Sequence, residues 1–184
     1  MENDKEKFDE AEKIPKRINR KSKINIAHLA KNLQKLCYQL FCKSKLILSK
    51  QNIMEYFTED EYLYLIQSSL LQYTDDDMIT FISAFYFEYF TACFFEKKSY
   101  SDIRSAFFIN GGKDVNVRHL NIFMLFLNIL DRKSKMYKKI LIDLGKLSPC
   151  YILLTDFELL MPEERYTHYI SILNYYDKNK KYIY

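Results

Sequence analysis

The stretch FISAFYFEYFTACFF, from Phe81 to Phe95, constrains this chain more than any other. Fourteen of its fifteen positions are apolar, aromatic or small, and the exception is Glu88 at its centre. A run of this kind must enter a core or be covered by a partner, because free monomers expose only small contiguous apolar patches. It is shorter than the roughly 20 apolar residues that span a bilayer, and an ionisable group at membrane depth is costly. A membrane span is therefore not expected. A core helix is.

The rest of the chain points the same way. Three glycines and three prolines in 184 residues are too few for the many turns of a sandwich or barrel. With 48 % hydrophobic content, the length suits one ordinary domain or two small ones. The expected fold class is mainly α, with room for a hairpin among the 16 tyrosines and 14 phenylalanines. The net charge of +4 is spread along the chain, apart from DRKSKMYKK (131–139) and DKNKKYIY (177–184). Those runs read as solvated helix ends and a tail, and the absence of a denser basic stripe argues against a nucleic-acid partner. Cys37, Cys42, Cys93 and Cys150 form no CxxC pair and no zinc spacing with histidine. They suit a reduced, cytoplasmic protein with neither metal nor disulfide. The charged start MENDKEKFDEAEK has no apolar core of a signal peptide.

Read along the chain, residues 1–24 form a charged linker of low apolar content, expected to be disordered. From Asn25, apolar residues at Ile26, Leu29, Ala30, Leu33, Leu36, Cys37, Leu40 and Phe41 define one helix face. Leu46–Leu48 suits a small strand, and Ser49 an N-cap for a short helix reaching to Phe57. Thr58 with Glu61 is a capping-box pattern opening a helix to about Ser68. Thr74–Asp77 then separates two apolar runs, predicting a hairpin of Leu70–Tyr73 against Met78–Phe81. Ser83 can cap the helix that follows. Three helices, a hairpin and a helix are the element order of a winged-helix unit, assigned to 25–98. Helical segments continue through 99–177 as an arm: SYSDIRSAFF ended by Gly111-Gly112, then 117–130, 135–147 and about 163–176. A basic tail occupies 178–184.

With the stretch placed after a wing, LIQSSLLQYTDDDMITFISAFYFEYFTACFF resembles the signature of NACHT-type STAND NTPases, the NOD-like-receptor class. In that family an SGLL precedes a hairpin, followed by F-[IL]-H-x-[ST]-F-Q-E-[YF]-F-A-A. Ser69-Leu70-Leu71 match the first part. Phe81, Ile82, Tyr86, Glu88, Tyr89, Phe90, Thr91 and Ala92 fall on the second. The resemblance covers 25–98 well and 99–178 loosely, the latter through helical pairs and a weak D-x-x-x-L-x-x-E-x-R pattern. It implies a regulatory winged helix and arm that hold an NTPase core closed on ADP, with release and oligomerisation on ATP and Mg²⁺. Many such switches serve defence against phage.

Two departures qualify what carries over. The family's nucleotide-sensing histidine is Ser83 here, the one cofactor-binding candidate, and a hydroxyl reaches less far than an imidazole. The family glutamine is Phe87. No G-x-x-x-x-G-K-[ST] phosphate loop is present: Gly111-Gly112-Lys113 runs into Asp114, and Gly145-Lys146 into Leu147. The chain is therefore expected to begin after the NTPase core, to bind no cofactor of its own and not to be an enzyme. Its expected partner is the core of the same or a split protein.

The remaining residues carry little chemistry. Glu88 reads as structurally paired or partly exposed. His28, His119 and His168 are isolated, and no catalytic or metal constellation is identifiable. The aromatic ladder Phe81, Phe85, Tyr86, Tyr89, Phe90 and Phe94 reads as the core wall of the winged helix, and less readily as a partner face. The rival readings are a stand-alone helical interaction scaffold, a winged-helix DNA-binding protein, for which residues 59–68 are too acidic, and a small catalytic effector.

Overall fold

A computed structural model describes residues 24–147, 151 and 162–179; of 162–164 and 179 only the backbone is described. The linker reading of 1–23, the Ser148-Pro149 and Met161-Pro162 boundaries, Cys150 and the tail beyond 179 lie outside these residues. The fold is mainly helical, with eight α-helices and two small two-stranded sheets among the described residues. The chain divides into two compact units, Met1–Thr91 and Ala92–Tyr184.

The first unit opens with α1 (Ile26–Lys43). The Asn25 side chain accepts from the His28 amide at its start, and Ser44 turns into the left-handed region at its end. Leu29, Leu33, Leu36, Cys37 and Leu40 are buried in the predicted steps of three and four. Ser49 and Asn52 cap α2 (Lys50–Met54), and Thr58 and Glu61 cap α3 (Glu59–Gln67), each with a reciprocal capping box. Ile53, Tyr62 and Leu65 are almost fully buried, each stabilising the unit by about 1.5–3 kcal/mol.

The hairpin forms where predicted, shorter at both ends. β1 (Leu71–Tyr73) pairs antiparallel with β2 (Ile79–Phe81), with Leu71 opposite Phe81 and Tyr73 opposite Ile79. The turn places Asp77 at φ 55° and is closed by the Thr74 amide donating to Met78 O at 2.8 Å. The predicted strand around Leu46–Leu48 contracts to one bridge. Leu48 and Ile79 exchange both backbone hydrogen bonds, at 2.9 and 2.8 Å, and the Thr80 hydroxyl donates to Leu46 O at 3.3 Å.

α4 (Ala84–Phe95) follows, and the division between units falls inside it. The sequence reading puts its boundary between 98 and 99; compactness puts it seven residues earlier, within a continuous helix.

The second unit centres on phenylalanine. The Phe107 ring lies 4.7 Å from Phe95, 4.8 Å from Phe123 and 6.0 Å from Phe126, and all four side chains are nearly inaccessible. α5 (Tyr100–Phe107) starts on a Ser99–Asp102 capping box. Gly111 and Gly112 do end this segment, but they do so as the turn of an unforeseen hairpin, β3 (Phe108–Ile109) with β4 (Asp114–Val115). The predicted 117–130 helix divides into one turn of 3₁₀-helix, Val117–His119, and α6 (Leu120–Ile129). α7 (Lys135–Leu147) buries Tyr137, Ile140, Leu141 and Leu144 along one stripe. α8 (Pro162–Asn179) buries Ile172, and the Tyr175 hydroxyl donates to Leu147 O at 3.5 Å.

Candidate functional site

The resemblance points to the start of α4, so the geometry there comes first. Phe81 ends β2, 6 % exposed. Ile82 donates its amide to Leu70 O at 3.2 Å, which ties the helix entry to the base of the hairpin. Ser83 is half-buried; its hydroxyl oxygen accepts from the Phe85 amide at 3.3 Å, and its carbonyl accepts from the Tyr86 amide at 3.1 Å. The hydroxyl thus satisfies one of the orphan amides of a helix start.

The faces of α4 differ from the predicted arrangement. Phe87, Thr91, Ala92 and Phe95 are buried. The Phe87 ring packs 6.2 Å from Phe81, and the Thr91 hydroxyl donates to Phe87 O at 2.7 Å, inside its own helix. Ile82, Phe85 and Tyr89 are instead exposed, at 45 %, 53 % and 40 %, and the Phe85 and Tyr89 rings stack at 6.1 Å. Tyr86, Phe90 and Phe94 are half-buried. The ladder is therefore not a core wall; of its members only Phe81 is fully buried. The physical reason is that nearly every position of α4 is apolar, so no polar face marks which side meets solvent. Glu88 is half-buried and is not a free carboxylate.

Two polar clusters escaped the sequence reading. In the first unit, Glu61 accepts from the Thr58 amide at 2.9 Å and the Thr58 hydroxyl at 3.2 Å, and lies 3.3 Å from His28 Nδ1. Burial works to raise its carboxyl. The hydrogen bonds from Thr58 and His28 outweigh burial and hold it below the usual carboxylate range. Asn32 donates to Tyr56 O at 2.9 Å beside it. His28 is thus not isolated; the spacing of 33 residues to Glu61 hides the pair from any local pattern.

In the second unit, the Tyr100 hydroxyl donates to Asp143, Arg104 lies 3.6 Å from the same carboxylate, and Arg104 Nη2 donates to Gly112 O at 3.2 Å. Burial and the neighbouring carboxylate push the Tyr100 phenol up. A phenol held protonated against a carboxylate is a clamp between α5 and α7, and Lys139 Nζ lies 3.7 Å above the same ring. A cavity of about 240 Å³ in the first unit is lined by the end of α1, by Ile47 and Leu48, and by Asn52, Glu55 and Tyr56; neither Ser83 nor any α4 residue reaches it.

Among the described residues no cluster of histidine, cysteine or carboxylates could hold a metal ion, and no helix is long and apolar enough to cross a membrane. Comparisons with protein-family models, with curated proteins and with solved structures find no match to this chain.

Proposed function

We propose that the chain is a non-catalytic regulatory module of a NACHT-type STAND NTPase, a nucleotide-controlled signalling switch in antiphage defence. In this reading it works in the cytoplasm, and the first unit docks on an NTPase core of the same or a split protein. ADP, or ATP with Mg²⁺, is bound by the core.

The observation that carries the reading is the exposed aromatic face of α4. Phe85 and Tyr89 stack beside exposed Ile82; Ile82 and Tyr89 match the family signature, whereas Phe85 stands where the signature has Ser or Thr. Aromatic anchors of this kind dominate protein interfaces. Release of such an interface by nucleotide exchange is a two-state change biased by differential binding. Ser83 lies at the entry of this face, where its hydroxyl is engaged by the Phe85 amide; its role is to shape the helix start rather than to read a phosphate. A DNA-binding role is disfavoured because the third helix carries Glu59, Asp60 and Glu61 in its first turn, which phosphate repels.

A P-loop reading frame beside this one would identify the core to use. Co-expression with that core is expected to raise solubility and to give co-purification, and Phe85→Glu with Tyr89→Glu to abolish it while the circular dichroism stays unchanged. A core that neither co-purifies nor improves solubility overturns the reading.

A further inference from the structure

α7 has two opposed faces. Tyr137, Ile140, Leu141 and Leu144 bury one stripe. On the other side Lys135, Lys138, Lys139, Ile142 and Lys146 are all exposed and, at 3.6 residues per turn, fall within about 100° of arc. In the sequence Lys146 stands apart from the basic run 131–139; the helix brings it into line. Arg132 and Lys133 are exposed in the turn just before. Six cations thus meet two acids between residues 131 and 146. Of those acids, Asp143 is held by Tyr100 and Arg104, and Asp131 accepts from the Lys133 amide. The helices packed on α7 do not cancel the excess. α5 brings Asp102 against Arg104, and α8 brings Glu163, Glu164 and Asp177 against Arg165 and Lys178.

This arrangement costs the helix stability. Lys135 repels Lys138 and Lys139 at the i,i+3 and i,i+4 spacings. The first turn holds no acid, so the lysines there face the positive end of the helix dipole. A face that served solubility alone would interleave acids with the lysines. A bound polyanion turns both costs into attraction.

We propose that the lysine face of α7 binds the phosphate backbone of double-stranded DNA without reading its sequence. From Lys135 to Lys146 the face runs about 16 Å along the helix axis, the length of about five phosphates of one strand at about 3.4 Å each. Lysine is a point charge suited to phosphate contacts, and it is depleted from protein–protein interfaces, whose centres are apolar. Here the one apolar member is Ile142, 55 % exposed. A membrane surface would need an apolar side to insert, and the apolar side of α7 is already buried. A single strand would call for aromatic rings to stack its bases, and the five residues of the face include none. The acidic first turn of α3 disfavours DNA reading by the first unit; α7 belongs to the second and needs no base contact. The surface is independent of α4 and of the reading built on it.

The test is fluorescence anisotropy of a short labelled DNA duplex titrated with the full chain at several salt concentrations. Four lysine–phosphate contacts give a slope of log K against log salt of about −3.6, or about a hundredfold loss of affinity between about 50 and 200 mM. Lys135→Gln, Lys138→Gln and Lys146→Gln together leave Lys139 over the Tyr100 ring and are expected to bring the slope to about −0.9. Removing like charges from one face raises thermal stability rather than lowering it, which separates lost binding from lost folding. Lys31→Gln, Lys35→Gln and Lys45→Gln together remove the same charge from exposed positions of the first unit and are expected to leave the slope as it was. No binding at low salt, a slope unchanged by the α7 triple variant, or an equal loss in the first-unit triple variant overturns the proposal. So does equal binding to phosphatidylserine vesicles, or displacement of the duplex by polyglutamate at equal charge.

Discussion

The two units solve the same packing problem with different side chains. The first buries mostly aliphatic residues, among them Leu29, Leu33, Leu36, Ile53, Leu65, Leu71 and Ile79, and fixes its short helices with capping boxes. The second is organised around the contacts of Phe95, Phe107, Phe123 and Phe126. An aliphatic core spread over many small contributions tolerates the loss of one member. A ring cluster concentrates its energy in a few large side chains, here with Phe107 in contact with the other three. Local hydrogen exchange reads each unit by itself, so the contrast can be tested directly.

The largest expected effect is that of Phe107→Ala. It removes a ring with no accessible surface from the centre of the cluster, at a cost of about 3–5 kcal/mol. Leu65→Ala, equally buried in the first unit, is expected at the lower end of the roughly 2–5 kcal/mol range for such truncations. Amide exchange followed by mass spectrometry should speed up over 100–144 in the first variant and over 26–81 in the second. Equal losses would erase the distinction.

Glu61→Gln sharpens the comparison from the polar side, at about 1 kcal/mol for a charge-assisted cap. Because Glu61 is held below the carboxylate range in the folded chain, its contribution is complete above its unfolded pKa and is lost as pH falls through the folded value. Urea titrations from neutral to acid pH should show that the variant lacks this part of the acid loss. An unchanged acid limb would mean that Glu61 contributes nothing through its charge.

An effect of similar size is expected of Gly112→Ala, at φ 83°. The left-handed conformation costs a non-glycine residue about 1 kcal/mol. The new methyl would also clash with Arg104 Nη2, forcing the guanidinium to move off Gly112 O. Thermal denaturation should register a small drop, and one largely relieved in an Arg104→Ala background would locate the cost in the arginine.

These contrasts also explain what could be read from sequence. α1 and the first hairpin were legible because polar and apolar residues alternate there with a clear period, and the N-cap at Ser49 and the capping box at Thr58 because their residue types mark a helix start; the Asn52 half of the Ser49 box was not read. α4 was legible as a helix but not in its orientation, since a helix apolar all round does not declare a face. The β3–β4 hairpin was hidden because two-residue strands are too short for any alternation. The Glu61–His28 and Asp143–Arg104 pairs were hidden because folding, not local spacing, brings them together. At Ser83 the sequence marked the helix start and the structure supplied the amide it engages.

The Leu48–Ile79 bridge has a consequence for a chain so rich in aromatic residues. By taking both ladder hydrogen bonds of Ile79, Leu48 occupies the outer side of β2 at its first residue and shortens the edge left to an incoming strand. The opposite side, β1, offers three residues before the acidic turn Asp75-Asp76-Asp77. A short edge beside like charges is a poor template for strand addition. The hairpin can therefore stay two strands wide at high concentration.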